Sequence, residues 1–165
     1  MTLEMFLLKR TYIGAVFPDN WVKGKIELTK KGRPINIKLE RVSSVEEIIG
    51  MWSNALPIHN WFVSNCGSEN YDSGIVLVPR EKLAQLLNIC KEIQERKVLP
   101  EDVLPVELDH DGEACYGDDY MWDIGDTINI IETILSEIKE DGSFHGDICY
   151  SAAYLPDEGI HDFGL

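Results

Sequence analysis

The stretch from Ser43 to Asn65 constrains the fold most, because it combines a helix-start signal, an apolar periodicity and a central proline. Ser44 and Glu47 have the spacing of a capping box, in which each side chain accepts from the other residue's backbone N–H. Apolar, aromatic and imidazole side chains then recur every three or four residues on one helical face: Val45, Ile48, Trp52, Ala55, Leu56, His59 and Phe62. We therefore predict a central helix over residues 44–63, which kinks or restarts at Pro57 because proline cannot donate a helical hydrogen bond.

The rest of the chain alternates between short extended segments and two helical stripes. Alternating or continuous apolar runs predict five strands: Met1–Lys9, Val22–Thr29, Ile35–Leu39, Ile75–Val78 and Asp147–Tyr154. The second and third form a hairpin with Gly32 in the turn, at a position that needs a positive φ. Stripes at helical spacing predict a helix over Pro79–Arg96 and another from about Ile124 to before Gly142. This order predicts one α+β domain over residues 1–165, an antiparallel sheet with about three helices on one face.

Charge divides the chain into a basic strand-and-hairpin part over residues 1–42 and an acidic part over residues 101–165. The net charge is −14, and the acidic part holds one lysine against eighteen acids. An acidic surface repels nucleic acid and anionic membranes, and it attracts basic partners over about 8–10 Å at physiological salt. The alternative is that these acids only keep the protein in solution. Six cations between Lys23 and Lys38 favour nucleic-acid binding, but the acidic part makes direct binding unfavourable.

The N-terminal residues indicate no export signal, since Glu4 precedes an apolar run of only four residues. No stretch approaches the roughly 20 apolar residues that span a membrane. The four cysteines contain no C-x-x-C pair and are expected to be free thiols: Cys66, Cys90, Cys115 and Cys149. We therefore expect a cytoplasmic protein that does not contact a membrane.

Several short motifs share a pattern with one known family. The segment W-S-N-A-L-P-I-H-N-W-F-V, from Trp52 to Val63, resembles the signature W-R-K-A-N-x-I-H-x-W-F-V of a family of small uncharacterised phage- and prophage-encoded proteins. The segments M-F-L-L-K-R-T-Y, V-P-R-E-K-L-A-Q-L-L and C-Y-S-A-A-Y resemble further motifs of that family. The chain departs from the pattern at Leu56 and Pro57 and lacks the family's final tryptophan. The resemblance implies a phage origin and a cytoplasmic setting, and it implies no activity.

Trp52, His59, Asn60 and Trp61 are the candidate residues for a ligand pocket. Two tryptophans and a histidine around a cleft could stack an aromatic ligand, and the imidazole could act as a base or metal ligand near neutral pH. The alternative is a core histidine that is hydrogen-bonded to the backbone. No second histidine, cysteine or carboxylate lies three or four residues from His59, so the sequence favours the structural role.

The densest group of acids lies before and at the start of the last predicted helix. Six of these carboxylates are the predicted partner-binding residues: Asp109, Asp111, Glu113, Asp118, Asp119 and Asp123. Numbered from Glu107, carboxylates at positions one, three, five and twelve with glycine at six match the spacing of a calcium-binding loop. Glutamate at position one, aspartate at position twelve and the non-helical V-L-P-V run before the loop argue against calcium. A zinc set of His110, Cys115, His145 and Cys149 matches no familiar ligand spacing, so no metal or cofactor is expected.

These observations favour a non-enzymatic accessory protein of a phage or prophage. It would bind a basic host or defence protein through its acidic surface, as an inhibitor or as a mimic of the phosphate charge of DNA. The competing hypothesis is a small enzyme or ligand-binding domain with a pocket near His59, Asn60 and Trp61. Because excess negative charge makes copies of the chain repel, we expect a monomer, or a dimer held by apolar contacts.

Overall fold

The computed structural model describes residues 1–13, 27–67, 75–107, 114–140 and 146–155. Within these ranges the fold is α+β, as predicted, with six strands and four helices: β1 (Thr2–Tyr12), β2 (Leu28–Lys30), β3 (Arg33–Ile35), β4 (Ser44–Ser53), α1 (Leu56–Cys66), β5 (Ile75–Leu77), α2 (Arg80–Gln94), α3 (Pro100–Val103), α4 (Asp118–Glu140) and β6 (Asp147–Leu155). The first part of the predicted strand Val22–Thr29 and the predicted helix stop at Gly142 lie outside the described residues.

Four strands form an antiparallel sheet in the order β4–β1–β6–β5. The apolar β1 lies inside the sheet, where it pairs with β4 on one side and β6 on the other. Successive side chains of a strand alternate between faces, so Leu3, Met5 and Leu7 share one face, and all three are buried. Leu7 pairs with Gly50 and with Tyr150, which places these two residues on the same face. This face meets the helices.

The predicted central helix over residues 44–63 is wrong in its first half. Ser44–Ser53 is the edge strand β4, antiparallel to β1, so the predicted capping box of Ser44 and Glu47 does not form. Val45, Ile48 and Ile49 are β-branched and suit an extended backbone beside β1. Cross-strand ion pairs join Lys9 to Glu47 and Arg10 to Glu46. The long-range strand pairing therefore prevails over the local helix-start signal.

A tight turn at Asn54 ends β4 and leads into α1. Asn54 has a φ of 57°, a left-handed conformation that asparagine tolerates better than most residues. Its backbone N–H donates to the Leu3 carbonyl at 2.8 Å, and its Oδ1 accepts from the Leu3 N–H at 2.9 Å. Helix α1 then begins at Leu56, with Pro57 in the first turn, where its missing N–H costs nothing. Neither outcome predicted at Pro57, a kink or a restart, is observed, because the residues before the turn form β4 and α1 begins only at Leu56.

The second predicted helix is confirmed as α2. Its core-facing stripe is buried as predicted at Leu83, Leu86, Cys90 and Ile93, whereas Leu87 is only half-buried. Pro79 lies just before the helix as its N-cap rather than in the first turn. Helix α2 packs against α4, which contacts β4, while α1 contacts β5. None of the helices in the described residues is both long enough and apolar enough to cross a lipid bilayer.

Helix α4 begins at Asp118, six residues before the predicted start at Ile124. A tertiary contact explains the difference, because the Tyr120 hydroxyl donates to the Leu104 carbonyl at 3.1 Å and both side chains are buried. The Tyr116 ring meets the Tyr120 ring edge to face, with 5.1 Å between centroids. These contacts hold the first turn of α4 against residues 104–106 and fix its orientation.

The β2–β3 hairpin confirms the turn predicted at Gly32. Lys31 and Gly32 both have a positive φ, of 51° and 74°, which is the signature of a two-residue type I′ turn. The paired residues run from Leu28 opposite Ile35 to Lys30 opposite Arg33. The hairpin is exposed and separate from the main sheet.

Candidate functional site

Both predicted pocket tryptophans belong to the core. The exposed fraction is 4% for Trp52 and 6% for Trp61. Phe62 lies near both rings, with centroids 6.0 Å from Trp52 and 5.5 Å from Trp61. The two indoles therefore pack inside an aromatic cluster rather than on the walls of a cleft.

His59 lies half-buried on α1 and contacts β6. Its Nδ1 is 2.7 Å from the Tyr150 hydroxyl, whose ring stacks on Phe62 with 4.4 Å between centroids. Burial lowers the pKa of His59, and the nearby Glu107 carboxylate opposes this shift. The lowered pKa favours the neutral imidazole, whose hydrogen-bond partner is a tyrosine hydroxyl rather than the backbone carbonyl that the structural role predicted.

A short chain of hydrogen bonds joins the aromatic cluster to α4. The Trp52 indole Nε1 donates to Thr127 Oγ1 at 3.0 Å, and that hydroxyl donates to the Asp123 carbonyl at 2.6 Å. Thr127 is fully buried. The Trp52–Thr127 hydrogen bond fixes which side of α4 faces the sheet. It therefore also determines which side chains of α4 face outward.

The outward face of α4 carries a groove of about 560 Å³. Its lining residues recur at three- and four-residue spacing and so share one face of the helix: Asp118, Met121, Trp122, Gly125, Asp126 and Asn129. We call this feature the α4 groove. Trp122 is 72% exposed, the largest apolar side chain that the described residues present to solvent. Tryptophan is enriched at protein–protein interfaces relative to the rest of the surface.

The polar groups of the α4 groove are open to a ligand. Among the residues that the structure describes, the Trp122 indole N–H has no hydrogen-bond partner, and neither Asp118 nor Asp126 forms an ion pair. Farther along the helix, by contrast, Glu132 pairs with Lys91 of α2. The groove therefore combines an exposed aromatic side chain with carboxylates that no described cation neutralises.

Asp123 lies on α4 beside the groove but does not line it, and the carboxylates of Asp126 and Asp119 affect its pKa. Burial and, to a smaller extent, the carboxylates of Asp126 and Asp119 together raise its pKa to about 6. These three residues follow one another at four- and three-residue spacing along α4, so their carboxylates are close. Asp118 and Asp119 also occupy the first turn, where a negative charge favours the helix dipole.

A second pocket, of about 250 Å³, lies where β5 leads into α2. It is lined by Leu77, Val78, Pro79, Arg80, Gly146, Asp147 and Ile148. Neither this pocket nor the α4 groove is lined by any of the four predicted pocket residues. Neither of these two cavities therefore supports the hypothesis of a ligand pocket near His59, Asn60 and Trp61.

The sheet face opposite the helices also carries apolar side chains. Phe6 pairs with Met51 and Leu8 pairs with Ile48, and the two β4 residues are more than half exposed. On the same face Glu4 is buried, and the Ser53 hydroxyl donates to its carboxylate at 2.8 and 3.0 Å. Two apolar side chains of β4 are therefore exposed on this face.

The structure brings together half of the predicted acidic residues. Asp118, Asp119 and Asp123 lie on the first two turns of α4, whereas Asp109, Asp111 and Glu113 lie outside the described residues, as does half of the calcium-like loop. Of the zinc candidates, Cys115 is exposed and Cys149 is buried, while both histidines fall outside the described ranges. Within those ranges no three side chains are grouped to hold a metal ion.

Sequence reasoning missed the aromatic part of the α4 groove. The signal that could have revealed it is the position of Trp122, which falls off the apolar stripe of α4 defined by Ile124, Ile128 and Ile131. A tryptophan on the polar side of an amphipathic helix is expected to be exposed, and here it lies beside the exposed Met121, so the two form a small apolar patch.

The fold and the α4 groove together define an α+β protein with an exposed acidic and aromatic helix face. No protein-family model matches the chain, and no curated protein or solved structure matches it either.

Proposed function

We propose that this chain is a non-enzymatic accessory protein that binds a basic protein through the α4 groove. The observation that carries the proposal is the 72% exposed Trp122, which lies between the carboxylates of Asp118 and Asp126 along the α4 groove. Protein interfaces concentrate their binding energy in a few aromatic anchors surrounded by a polar rim. Trp122 and Met121 supply the apolar centre, and the aspartates supply the rim.

The charge of the chain supports a basic partner. The acidic part holds eighteen acids against one lysine, and the outer side of α4 belongs to it. A surface of one sign accelerates encounter with a partner of the opposite sign and disfavours partners of the same sign. Nucleic acid and anionic lipid are therefore poor partners, and a basic protein surface is a favourable one.

The phage setting rests on the resemblance of Trp52 to Val63 to a phage and prophage family signature. We accordingly place the protein in the cytoplasm, where it would bind a host or defence protein. An inhibitor that mimics DNA is one form of this function, because carboxylates in place of phosphates would occupy a DNA-binding surface.

Comparative capture from host lysate tests the proposal. The parent and Trp122→Ala are immobilised, together with the triple variant Asp118→Asn, Asp119→Asn and Asp126→Asn and the control Glu137→Gln, an exposed acid on α4 outside the groove. We expect a basic protein to be retained by the parent and the control and lost with the other two variants. Retention should fall as salt rises, because exposed charges are screened.

Two outcomes would count against the proposal. Equal capture by the parent and the triple variant would mean that these acids only serve solubility. Turnover of a small molecule by the parent would favour the enzyme hypothesis instead. The DNA-mimic form is tested separately, since duplex DNA should then compete with the protein for the captured partner.

A further inference from the structure

We propose that the α4 groove recognises an arginine side chain of its basic partner, an inference that rests on the proposed function and names the group that is bound. Asp118, Trp122 and Asp126 follow one another at four-residue spacing, so they form a single row along the helix. Each step of four residues rises about 6 Å. The indole thus has a carboxylate one turn before it and another one turn after it.

This row matches the shape and charge of a guanidinium group. A guanidinium is planar and weakly hydrated, so it stacks on an indole face, and its N–H edge donates to a carboxylate in a fork geometry. Stacked on Trp122, it would direct that edge along the helix toward Asp118 or Asp126. A lysine ammonium is compact and strongly hydrated, so it gains the charge attraction but loses the stacking and the fork.

The floor of the groove leaves room for this side chain. A Cβ placed on Gly125, three residues after Trp122, would meet no atom within 4 Å. The absence of a side chain there keeps the flank of the indole open. The indole N–H and both carboxylates have no partner among the described residues, so an arriving guanidinium displaces no existing contact there.

Charge also favours an arginine-bearing partner over a second copy of this chain as the occupant of the α4 groove. A twofold contact through the α4 groove would bring Asp118, Asp119 and Asp126 of one copy toward the same carboxylates of the other. Like charges at such an interface disfavour the contact. An arginine neutralises these carboxylates, whereas a second copy would bring further negative charges close to them.

The test uses three matched peptides of glycine and serine that carry three arginines, three lysines or three citrullines, the last being neutral but shaped like arginine. Each is titrated into the full chain at low salt, while the indole N–H signals of the four tryptophans are followed by NMR. The signal that disappears in Trp122→Phe identifies Trp122. We expect the arginine peptide to bind about fivefold more tightly than the lysine peptide, to shift the Trp122 signal, and the citrulline peptide not to bind.

Variants locate the binding to the groove. Trp122→Ala, the double variant Asp118→Asn with Asp126→Asn, and Gly125→Leu should each weaken arginine-peptide binding about tenfold, by removing the stack, the acceptors or the open space. Glu137→Gln removes one negative charge elsewhere on the helix and should change the affinity less than twofold. Unchanged thermal melting of each variant shows that the loss is not unfolding.

The outcomes separate this inference from the proposed function. If the arginine and lysine peptides bind equally and both shift Trp122, the groove recognises charge alone and the inference fails while the proposed function stands. If neither peptide shifts Trp122, or the variants bind like the parent, the inference also fails. A change of sedimentation on Trp122→Ala without peptide would instead assign the groove to a second copy. The proposed function is tested by the lysate capture instead, and it fails if the groove variants capture the partner as well as the parent does.

Discussion

The indole N–H of Trp52 on β4 donates to the hydroxyl of Thr127 on α4, with 3.0 Å between Nε1 and Oγ1. Both residues are buried, so neither group has water as an alternative partner. The bond joins an edge strand to the helix that carries the α4 groove. Trp52 therefore influences the groove through the packing of α4 rather than by contact with a ligand.

Thr127→Val tests this bond, because valine keeps the shape of threonine but cannot accept from Trp52. We expect the free energy of unfolding to fall by about 1–3 kcal/mol, since a buried donor is left without a partner. Thr127→Ser restores the hydroxyl and should recover most of the loss. Urea unfolding measures both variants, and a Thr127→Val protein as stable as the parent would show that the bond contributes nothing.

The sequence predicted elements well where local signals and tertiary contacts agree. The stripe of α2 at Leu83, Leu86, Cys90 and Ile93 is periodic and buried, so its pattern alone located the helix. Residues 44–53 carry a helix-like stripe as well, but their partner is β1, more than thirty residues away in the chain. A local sequence pattern cannot show a pairing between segments so far apart. The pairing of β4 with β1 nevertheless determines that these residues form a strand.

The candidate site was predicted by charge but not by shape. The acids at Asp118, Asp119 and Asp123 stand out in the sequence because almost no cations accompany them. The exposure of Trp122 depends on where α4 begins and which side meets the sheet, and both depend on contacts of Tyr120 and Thr127 with distant residues. The sequence therefore indicated an acidic surface but did not predict that Trp122 lies exposed at its centre.

Gly50→Ala should destabilise the fold at the contact between β4 and α4. A Cβ on Gly50 would lie 2.6 Å from Cγ2 of Ile130, far inside van der Waals contact. Overpacking of this kind costs about 1–3 kcal/mol, because a β-branched side chain in a helix cannot easily rotate away. Thermal and urea unfolding measure the loss.

Two companion variants make the Gly50 result specific. Ile130→Ala removes the clashing Cγ2, so Gly50→Ala should cost less in the Ile130→Ala background than in the parent. Gly125→Ala adds a methyl group where nothing lies within 4 Å, and it should stabilise α4 by up to about 1 kcal/mol. If both glycine variants lose the same stability, the close approach at Gly50 is not the cause.

His59→Gln should leave partner binding unchanged and alter the pH dependence of stability. Burial lowers the pKa of His59 below its ordinary value in the folded chain, so the unfolded chain takes up a proton first as the pH falls. The resulting stability is fully present above about pH 6.5 and is lost below it. Glutamine has no such titration, so the variant should lose less stability between pH 7 and pH 5.

His59→Leu is the companion variant. It removes both ring nitrogens and with them the hydrogen bond to the Tyr150 hydroxyl. We expect a loss of about 0.5–1.5 kcal/mol, the net value of one such bond. A His59→Gln protein that folds normally but no longer captures the partner would contradict the structural role and favour the pocket hypothesis.

Asp123→Asn should stabilise the protein at neutral pH and have little effect near pH 4. Burial and the carboxylates of Asp126 and Asp119 raise the pKa of Asp123 from 3.8 to about 6. A raised folded pKa means that the protonated carboxyl favours the folded state, so this contribution is present below about pH 4 and is lost as the pH rises through 6. Two pKa units correspond to at most about 3 kcal/mol, and partial exposure reduces this to roughly 1–2 kcal/mol.

The informative quantity is the stability difference between Asp123→Asn and the parent at each pH, because His59 titrates in an overlapping range with the opposite sign. Asparagine stays neutral, so the difference should be near zero at pH 4 and grow to its full value by pH 7. Glu137→Gln, which replaces an exposed acid on the same helix, is measured alongside as the control. A stability difference that is equal at pH 4 and pH 7 would mean that burial does not raise the pKa of Asp123. It would also mean that the carboxylates of Asp119, Asp123 and Asp126 do not repel one another appreciably in the folded chain.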